Sequence, residues 1–247
     1  MKNTLLQFIA NVPSTNKLLF QMADEGRRAG RPLPPFFAIH TDFQSDGRGM
    51  GSNSWFGDPG KNMLVSFYFE PGLPAARQFL FNQYFALGAL ALLRRRVPQA
   101  LVKWPNDLYV DGKKIAGILI EHVVEGGQLR HTVAGLGLNV NQERFPADIP
   151  NPTSLLIETG RREDVRALTE ELWQILFDSR ARCDLACAGE LHRQYVQNMY
   201  LLGTLRQYHV KGEAVEAMID GVDEYGRLVL RTPAGASLVC GFKEVSF

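Results

Sequence analysis

Apolar residues recur along the chain at different periods, and the places where the period changes delimit its elements. Behind Ser14-Thr15-Asn16, the residues Leu18, Leu19 and Met22 fall at helical spacing. This predicts a helix starting near Thr15 or Asn16, with unpartnered backbone N–H groups in its first turn. Residues 36–43 and 62–69 read as strands, and the stretch 46–61, rich in Gly, Ser, Asn and Asp, reads as a loop between them. Residues 74–96 return to helical spacing and end in Arg94-Arg95-Arg96, where positive charge suits a helix C-terminus. Leu101-Val102 and residues 115–120 are predicted to pair as a hairpin, with Pro105 interrupting the pairing and Asp111-Gly112 supplying turn chemistry. Residues 129–140 form a further strand, in which Gly135 and Gly137 let a ligand approach the backbone closely.

Pro146, Pro150 and Pro152 mark an irregular connector. Residues 163–183 and 189–199 then read as amphipathic helices, with Leu168, Leu172, Ile175 and Leu176 on one apolar face. From Tyr200 onward the pattern becomes short strands, LRQYHV, AVEAMIDGV, RLVLRT and ASLVCGF, separated by turn residues, which is the signature of a small barrel. That change of pattern divides the chain into residues 1–199 and 200–247.

Composition narrows the function classes. A chain of 247 residues with 45% hydrophobic residues buries a substantial core, and its net charge of +1 creates no global field for nucleic acid or an anionic membrane. No apolar stretch approaches the ~20 residues that span a bilayer, since residues 79–93 are interrupted by Asn82, Gln83 and Gly88. The first residues lack a small-residue cleavage site, so no signal peptide is expected. Cys183, Cys187 and Cys240 are an odd, sparse set that fits a reducing compartment, and the cytosol is the expectation. Cys183 and Cys187 are four residues apart on the predicted helix, with His192 beyond, but no second pair completes a zinc site. His40, His122, His131 and His209 are expected to have ordinary hydrogen-bonded partners.

The chemistry concentrates in residues 103–121, KWPNDLYVDGKKIAGILIE, where cations, a carboxylate and an amide crowd around breaks in an apolar run. That composition suits phosphate. Lys103, Lys114 and Arg48 are candidate cations, and the glycines of Gly47-Arg48-Gly49 can turn backbone amides toward an anion. This run resembles the signature of the biotin protein ligases, and the resemblance extends to FQSDGRG, to Ser14-Thr15-Asn16 and to the strand-rich tail, so it covers nearly the whole chain. It implies an α/β (α+β) fold: a mixed sheet flanked by helices, like the catalytic core shared with class II aminoacyl-tRNA synthetases, followed by a C-terminal SH3-like barrel. It also implies an activity, in which ATP and biotin form biotinyl-adenylate and a lysine of a biotin carboxyl carrier domain then displaces AMP.

The same resemblance assigns roles. Lys114 would hold the biotin carboxylate and the phosphate, with Lys103 on the phosphate side; Asn106 and Asp107 would organise the phosphates and Mg²⁺, and Asp107 would orient the carrier lysine. Ser14, Thr15, Asn16, Gln44, Gly47 and Arg48 would meet biotin, with Gly117 and Leu119 closing the pocket. Gly49, Met50, Trp55, Asn106, Lys114 and Asn139 would meet ATP or the adenylate. Taken alone, Ser14-Thr15-Asn16 reads equally well as a helix cap, Trp55 as a core aromatic and Asn139 as a strand end.

One departure stands out. In the family the loop reads GRG followed by more arginines, whereas here it reads GRGMGSNSW, with Met50 in place of a basic residue. Two readings stand: backbone amides and Arg48, with Lys61, hold the anionic intermediate and it escapes more readily, or Met50 points elsewhere and retention is normal. No room before Ser14 accommodates the winged helix-turn-helix of the repressor-type ligases, so no operator binding is expected. The closing GFKEVSF stops at Phe247, short of a basic residue some relatives carry. The rival readings are a lipoate or octanoate ligase and a non-enzymatic interaction module, and exposed strand edges are compatible with a homodimer as well as a monomer.

Overall fold

The computed structural model describes residues 5–51 and 53–246; Ser52 of the glycine-rich loop and Phe247 lie outside them. Strand β1 (Leu6–Val12) passes through Pro13 and Ser14 into helix α1 (Thr15–Arg28), and β2 (Ala38–Gln44) returns parallel to β1. After the loop come β3 (Asn62–Phe69) and helix α2 (Gln78–Arg94). The strands β4 (Leu101–Lys103), β5 (Asp107–Val110), β6 (Lys113–Glu125) and β7 (Gln128–Asn139) then follow as successive antiparallel turns. Helices α3 (Leu155–Thr159), α4 (Val165–Asp178) and α5 (Ala188–Gln197) precede five short strands, β8 (Leu205–Val210), β9 (Glu213–Val222), β10 (Leu228–Arg231), β11 (Ser237–Cys240) and β12 (Val245–Ser246).

The first seven strands form one mixed sheet in the order β1-β2-β3-β7-β6-β5-β4, and the last five form an antiparallel, barrel-like sheet in the order β11-β10-β9-β8-β12. β3 is buried along its whole length because helices cover both faces. On one face α1 packs Leu19 and Ala23 against Ile39, Tyr68 and Val133. On the other, Met63, Val65, Phe67, Ala116, Ile118, Leu136 and Leu138 meet α2 and α4. Helix α2 is apolar nearly all round because it lies between the sheet and α4 and α5. Its Gly88 admits α4: a Cβ there would lie 2.5 Å from Leu176 Cδ2.

The C-terminal sheet shares the large core, contributing Tyr208, Ile219, Val222, Leu228 and Leu230. The indole of Trp104 donates to the carbonyl of Gly226 at 2.8 Å. Gly226, at φ +85°, also lies so close to the Phe79 ring that a Cβ would come within 2.4 Å. No helix among the described residues is long and apolar enough to cross a membrane.

Three local readings need correction. β1 was not expected, because Ile9-Ala10 breaks its alternation, and its place at the sheet edge comes from parallel pairing with β2. The predicted hairpin over residues 101–120 is two hairpins: the four residues of β5 pair with β4 on one side and β6 on the other. Pro105 sits in the first turn, and Asp111 and Gly112, both at positive φ, make the second. The helix predicted over 163–183 stops at Asp178, and Cys183 and Cys187 belong to separate short turns instead of one helical face.

The histidines divide. His40 Nδ1 lies 3.0 Å from Thr169 Oγ1, and His122 reaches Thr132 Oγ1 at 2.8 Å and Asn82 Oδ1 at 3.2 Å. His131 departs from expectation: neither ring nitrogen has a hydrogen-bond partner among the described residues, and the ring packs against Tyr68 and Phe20. Burial lowers the pKa of His40 and of His122 to about 4, from an ordinary value of 6.5. Between these values the unfolded chain binds protons that the folded chain does not, so stability rises with pH across the window. Urea denaturation is therefore expected to give a lower midpoint at pH 4.5 than at pH 7, with His40→Asn reducing the difference; a pH-independent midpoint would contradict this.

Candidate active site

A single extra residue decides where Lys114 points. Asp107 pairs with Gly117 and Leu108 with Ala116, but Tyr109 then pairs with Lys114, so Ile115 is a bulge. Side chains alternate along a strand, so without the bulge Lys114 would share the core face with Ala116. With it, Ile115 and Ala116 are both buried in the core and Lys114 joins Asp107 and Gly117 on the face opposite α2. Register carries that row across the sheet, from Lys103 through Asp107, Gly117 and Gly137 to Leu64 and Thr41. The neighbouring row runs from Leu119 through Gly135 and Ser66 to Ile39.

The glycines in these rows make a floor. A Cβ at Gly137 would lie 2.4 Å from the Trp55 ring, one at Gly117 2.9 Å from it, and one at Gly135 2.4 Å from Asn16 Oδ1. Trp55 reaches the floor from a finger whose described residues are 47–51 and 53–55. Arg48 and Ser54 bridge its two arms, Gly49 N–H donates to Asn53 O at 2.7 Å and Trp55 N–H to Gly47 O at 2.9 Å. Gly47 is required for that closure, since a Cβ there would lie 2.6 Å from the Trp55 carbonyl oxygen. Lys114 Nζ stands 5.8 Å from the centre of the Trp55 ring, and the buried indole N–H finds no acceptor among the described residues.

At one end of the floor lies a largely buried network of neutral polar side chains that ends on the Glu121 carboxylate. Gln44 Oε1 accepts from Thr15 N–H at 2.8 Å and from the Thr15 hydroxyl at 3.1 Å. Thr15 Oγ1 and Ser66 Oγ are 2.6 Å apart, and Ser66 donates to Asn16 Oδ1 at 2.5 Å. The Asn16 amide then donates to Leu119 O at 3.3 Å and to Glu121 at 2.8 Å. Ser14 occupies the N-cap of α1, yet its side chain makes no capping bond, so capping does not account for the run. Arg48 Nη1 lies 3.8 Å from the other oxygen of Glu121.

At the other end the groups are charged. Lys114 Nζ lies 2.7 Å from Asp107 Oδ1, and both side chains remain partly exposed. Lys103 Nζ donates to Tyr109 Oη at 3.1 Å. Asn106 spans the adjacent turn, its side-chain amide donating to Ile118 O at 2.6 Å while its backbone carbonyl accepts from Ile118 N–H at 2.8 Å.

Between the two ends is a cavity of about 370 Å³. Ser14, Thr15, Asn16, Gln44, Arg48, Gly49, Met50, Trp55, Lys103, Asn106, Asp107, Lys114, Gly117 and Leu119 all line it, so the structure brings most of the expected site residues together. Gly47 and Asn139 lie outside the lining. Gly47 closes the finger, and the Asn139 amide donates to Thr153 O at 2.9 Å, tying β7 to the connector. Lys61 also stands apart, paired with Asp58 at 3.0 Å.

Reading the sequence missed Ser66, Glu121 and the C-terminal residues Phe242, Lys243, Val245 and Ser246. Ser66 left a signal, as a lone hydroxyl in the apolar run NMLVSFYF, and Glu121 closed the signature without a role. The C-terminal residues left none. Among the described residues no three His, Cys, Asp or Glu side chains converge on a metal position. The arrangement suits an elongated ligand with a neutral polar head at the network and an anionic group at the lysines.

Residues 10–139 match the model of the biotin/lipoate A/B protein ligase family. The chain is similar to the bifunctional ligase/repressor BirA of Bacillus spizizenii, at 28% identity over 91% of this chain and 68% of that protein. It is also similar to the biotin--[acetyl-CoA-carboxylase] ligase of Paracoccus denitrificans, at 27% identity over 79% of this chain and 84% of that protein. Among solved structures, the biotin protein ligase from Aquifex aeolicus in complex with biotin and ATP superposes with a TM-score of 0.77 at 22% identity, over 100% of this chain and 98% of that one. That likeness establishes the fold.

Gly137→Ala is expected to lift Trp55 from the floor, because the ring cannot share space with a methyl group 2.4 Å away. Tryptophan emission should shift to the red while the thermal transition stays cooperative; an unchanged spectrum would show that the floor tolerates a side chain.

Proposed function

The chain belongs to the biotin/lipoate A/B protein ligase family, and we propose that within it the protein is a biotin ligase acting on a carrier lysine. In the first step a biotin carboxylate oxygen attacks the α-phosphorus of ATP, forming biotinyl-adenylate as pyrophosphate leaves. In the second, the carrier's lysine amine attacks the acyl carbon, an amide forms, and AMP leaves. The observation that carries this reading is the pairing, across one glycine floor, of a neutral hydrogen-bonding network with the Lys114–Asp107 pair.

The network supports biotin because a ureido ring needs matched donors and acceptors in a dry place. Thr15 occupies Gln44 Oε1 twice, which turns the Gln44 amide nitrogen away as a remaining donor. Ser66 fixes Asn16 in the same way. The lysines support adenylation because two anions must meet there, and positive charge held in place before reaction favours that meeting more than charge recruited from water. In this reading a biotin carboxylate or a phosphate oxygen takes over the position at Lys114 Nζ now held by Asp107, and the freed carboxylate orients the incoming amine. Trp55 and the finger backbone at Gly49 and Met50 would cover the adenylate.

Magnesium, which ATP chemistry implies, fits one carboxylate and an amide because it keeps several waters and takes phosphate oxygens as ligands. Asp107 and Asn106 would hold it as it arrives on the nucleotide, where it neutralises phosphate charge.

The relative from Paracoccus is named for acetyl-CoA carboxylase, and the partner proposed here is a biotin carboxyl carrier domain presenting a lysine on a tight turn. Residues 1–199 would form the catalytic unit and 200–247 the barrel-like unit. The proposed compartment is the cytoplasm, where ATP is present and the three free cysteines stay reduced. The proposal includes no nucleic-acid or membrane partner. A homodimer paired through the outer edge of β1 is compatible with it, and sedimentation reads that out.

Lys114→Ala is expected to reduce biotin-dependent ATP–pyrophosphate exchange more than about tenfold, since a charge-assisted hydrogen bond contributes about 1.5 to 3 kcal/mol. Undiminished exchange would remove Lys114 from the chemistry. Biotin should outcompete lipoate in the same assay by at least about tenfold, because a ligand without the ureido ring leaves buried polar groups unmatched. Mass spectrometry of a carrier domain incubated with ATP, Mg²⁺ and both acids completes the test; lipoyl transfer in place of biotinyl transfer would sink the assignment.

A further inference from the structure

The finger has two roots, and its internal bonds keep its shape without setting its place over the floor. The first root follows β2, where Ser45 N–H donates to Val12 O at 3.2 Å and Asp46 N–H to Pro13 O at 2.9 Å. The second runs from Trp55 to β3 and passes over Asn62, where a Cβ on Gly57 would lie 2.7 Å from Asn62 Nδ2. Asn62 is two residues along β3 from Leu64, so its side chain lies on the floor face, opposite Asn139 of β7.

One side chain gathers this second root. Gln142 is fully buried just beyond the end of β7. Its Oε1 accepts from Asp58 N–H at 3.1 Å and from the Asn62 amide at 2.9 Å, and its Nε2 donates to Asp58 Oδ2 at 2.9 Å and to Arg144 O at 2.7 Å. Both acceptor and both donor positions of the side chain are therefore occupied. Around it Asn62 Oδ1 accepts from Val140 N–H at 3.1 Å, and Asn141 N–H donates to Lys61 O at 2.7 Å.

Strand β7 also carries Gly137, the glycine beneath the Trp55 ring. Asp58 is three residues beyond Trp55, so its tie to Gln142 fixes the finger to the strand that forms the floor. Breaking that tie leaves Asp58 N–H and the Asn62 amide without their acceptor, and residues 56–61 regain partners by lifting toward water. Trp55 would move with them, since its N–H is bonded to the other finger arm at Gly47 and not to the sheet. Gln142 itself lies outside the cavity lining.

We infer that Gln142 is a positioning residue of this site, acting through Asp58 and Asn62 to hold Trp55 over the glycine floor. It lies beyond the 10–139 segment that defines the family. What this does for a bound adenylate rests on the ligase reading: a finger tied to β7 keeps Trp55 over the intermediate between the two steps, and an untied finger lets the intermediate leave.

The test reads Trp55 emission in the ligand-free protein, as the difference between each variant and the same variant carrying Trp55→Phe, which removes the contributions of Trp104 and Trp173. Gln142→Leu, close in size and unable to form the four bonds, is expected to shift that emission to the red and to raise its quenching by acrylamide. Asp58→Ala cuts the same tie from a half-buried position, so it carries the test if Gln142→Leu does not fold. The two together should do no more than either alone, whereas a packing defect at Gln142 would add to the loss of Asp58. Lys61→Met removes the ion pair with Asp58 but not the tie, and should leave the emission unmoved. Release of labelled biotinyl-adenylate formed on the protein should quicken about tenfold in Gln142→Leu, while pyrophosphate exchange at saturating biotin and ATP changes less than about twofold. Unshifted emission in both Gln142→Leu and Asp58→Ala overturns the inference. So does additivity, a shift in Lys61→Met, or a shift in Gln142→Leu without faster release from an active ligase. A wild type that forms no adenylate, yet whose Trp55 responds to Gln142, defeats the ligase reading and leaves the placement of Trp55 standing.

Discussion

Side-chain parity in a sheet is the constraint on which this molecule depends. A strand puts alternate residues on opposite faces, and here one face is a packed core against α2 and α4 while the other holds the cavity. The bulge at Ile115 reverses that parity once, at the point where β6 passes β5. Its effect is to keep Ile115 and Ala116 in the core while presenting Lys114 beside Asp107. Removing the bulge would put a lysine into the core face, so the packed core and the cavity lining require the same irregularity.

The rest of the architecture keeps the opposite face open. Helix α1 covers only part of it, over Ile39, Tyr68 and Val133. Beyond α1, glycines at 117, 135 and 137 remove the side chains that would otherwise fill the space, and Trp55 takes part of the room they leave. An exposed glycine floor would weaken an isolated sheet. Here the long pairing of β6 with β7 and the two-sided burial of β3 hold the strands in place.

Charge is arranged to match. The network at Thr15, Asn16, Gln44 and Ser66 is built of neutral side chains, all but the half-buried Gln44 fully buried, which favours a neutral ligand whose hydrogen bonds match and penalises one whose bonds do not. The lysines lie at the more exposed end, where Asp107 pairs with Lys114. Glu121 links the network to the finger by accepting from Asn16 and approaching Arg48.

Much of this was legible in the chain. Helical spacing after Ser14, the apolar run at 62–69 and the turn residues after Tyr200 specify local elements, because backbone preference and side-chain period act over a few residues. The signature at 103–121, with FQSDGRG, pointed to the residues that meet in the cavity, since their chemical types suit phosphate wherever the chain puts them. Other features were decided only by folding. The strand β5 and the bulge arise from pairing, which local pattern does not encode when only four residues lie between two turns. Asn139, a candidate by position, spends its amide on Thr153, and Lys61 spends its charge on Asp58. Lys243, more than a hundred residues beyond the signature, reaches the cavity because the two sheets share a core. Residue type and local period are properties of the chain, whereas which face a side chain takes, and which distant side chain it meets, are properties of strand register and sheet docking.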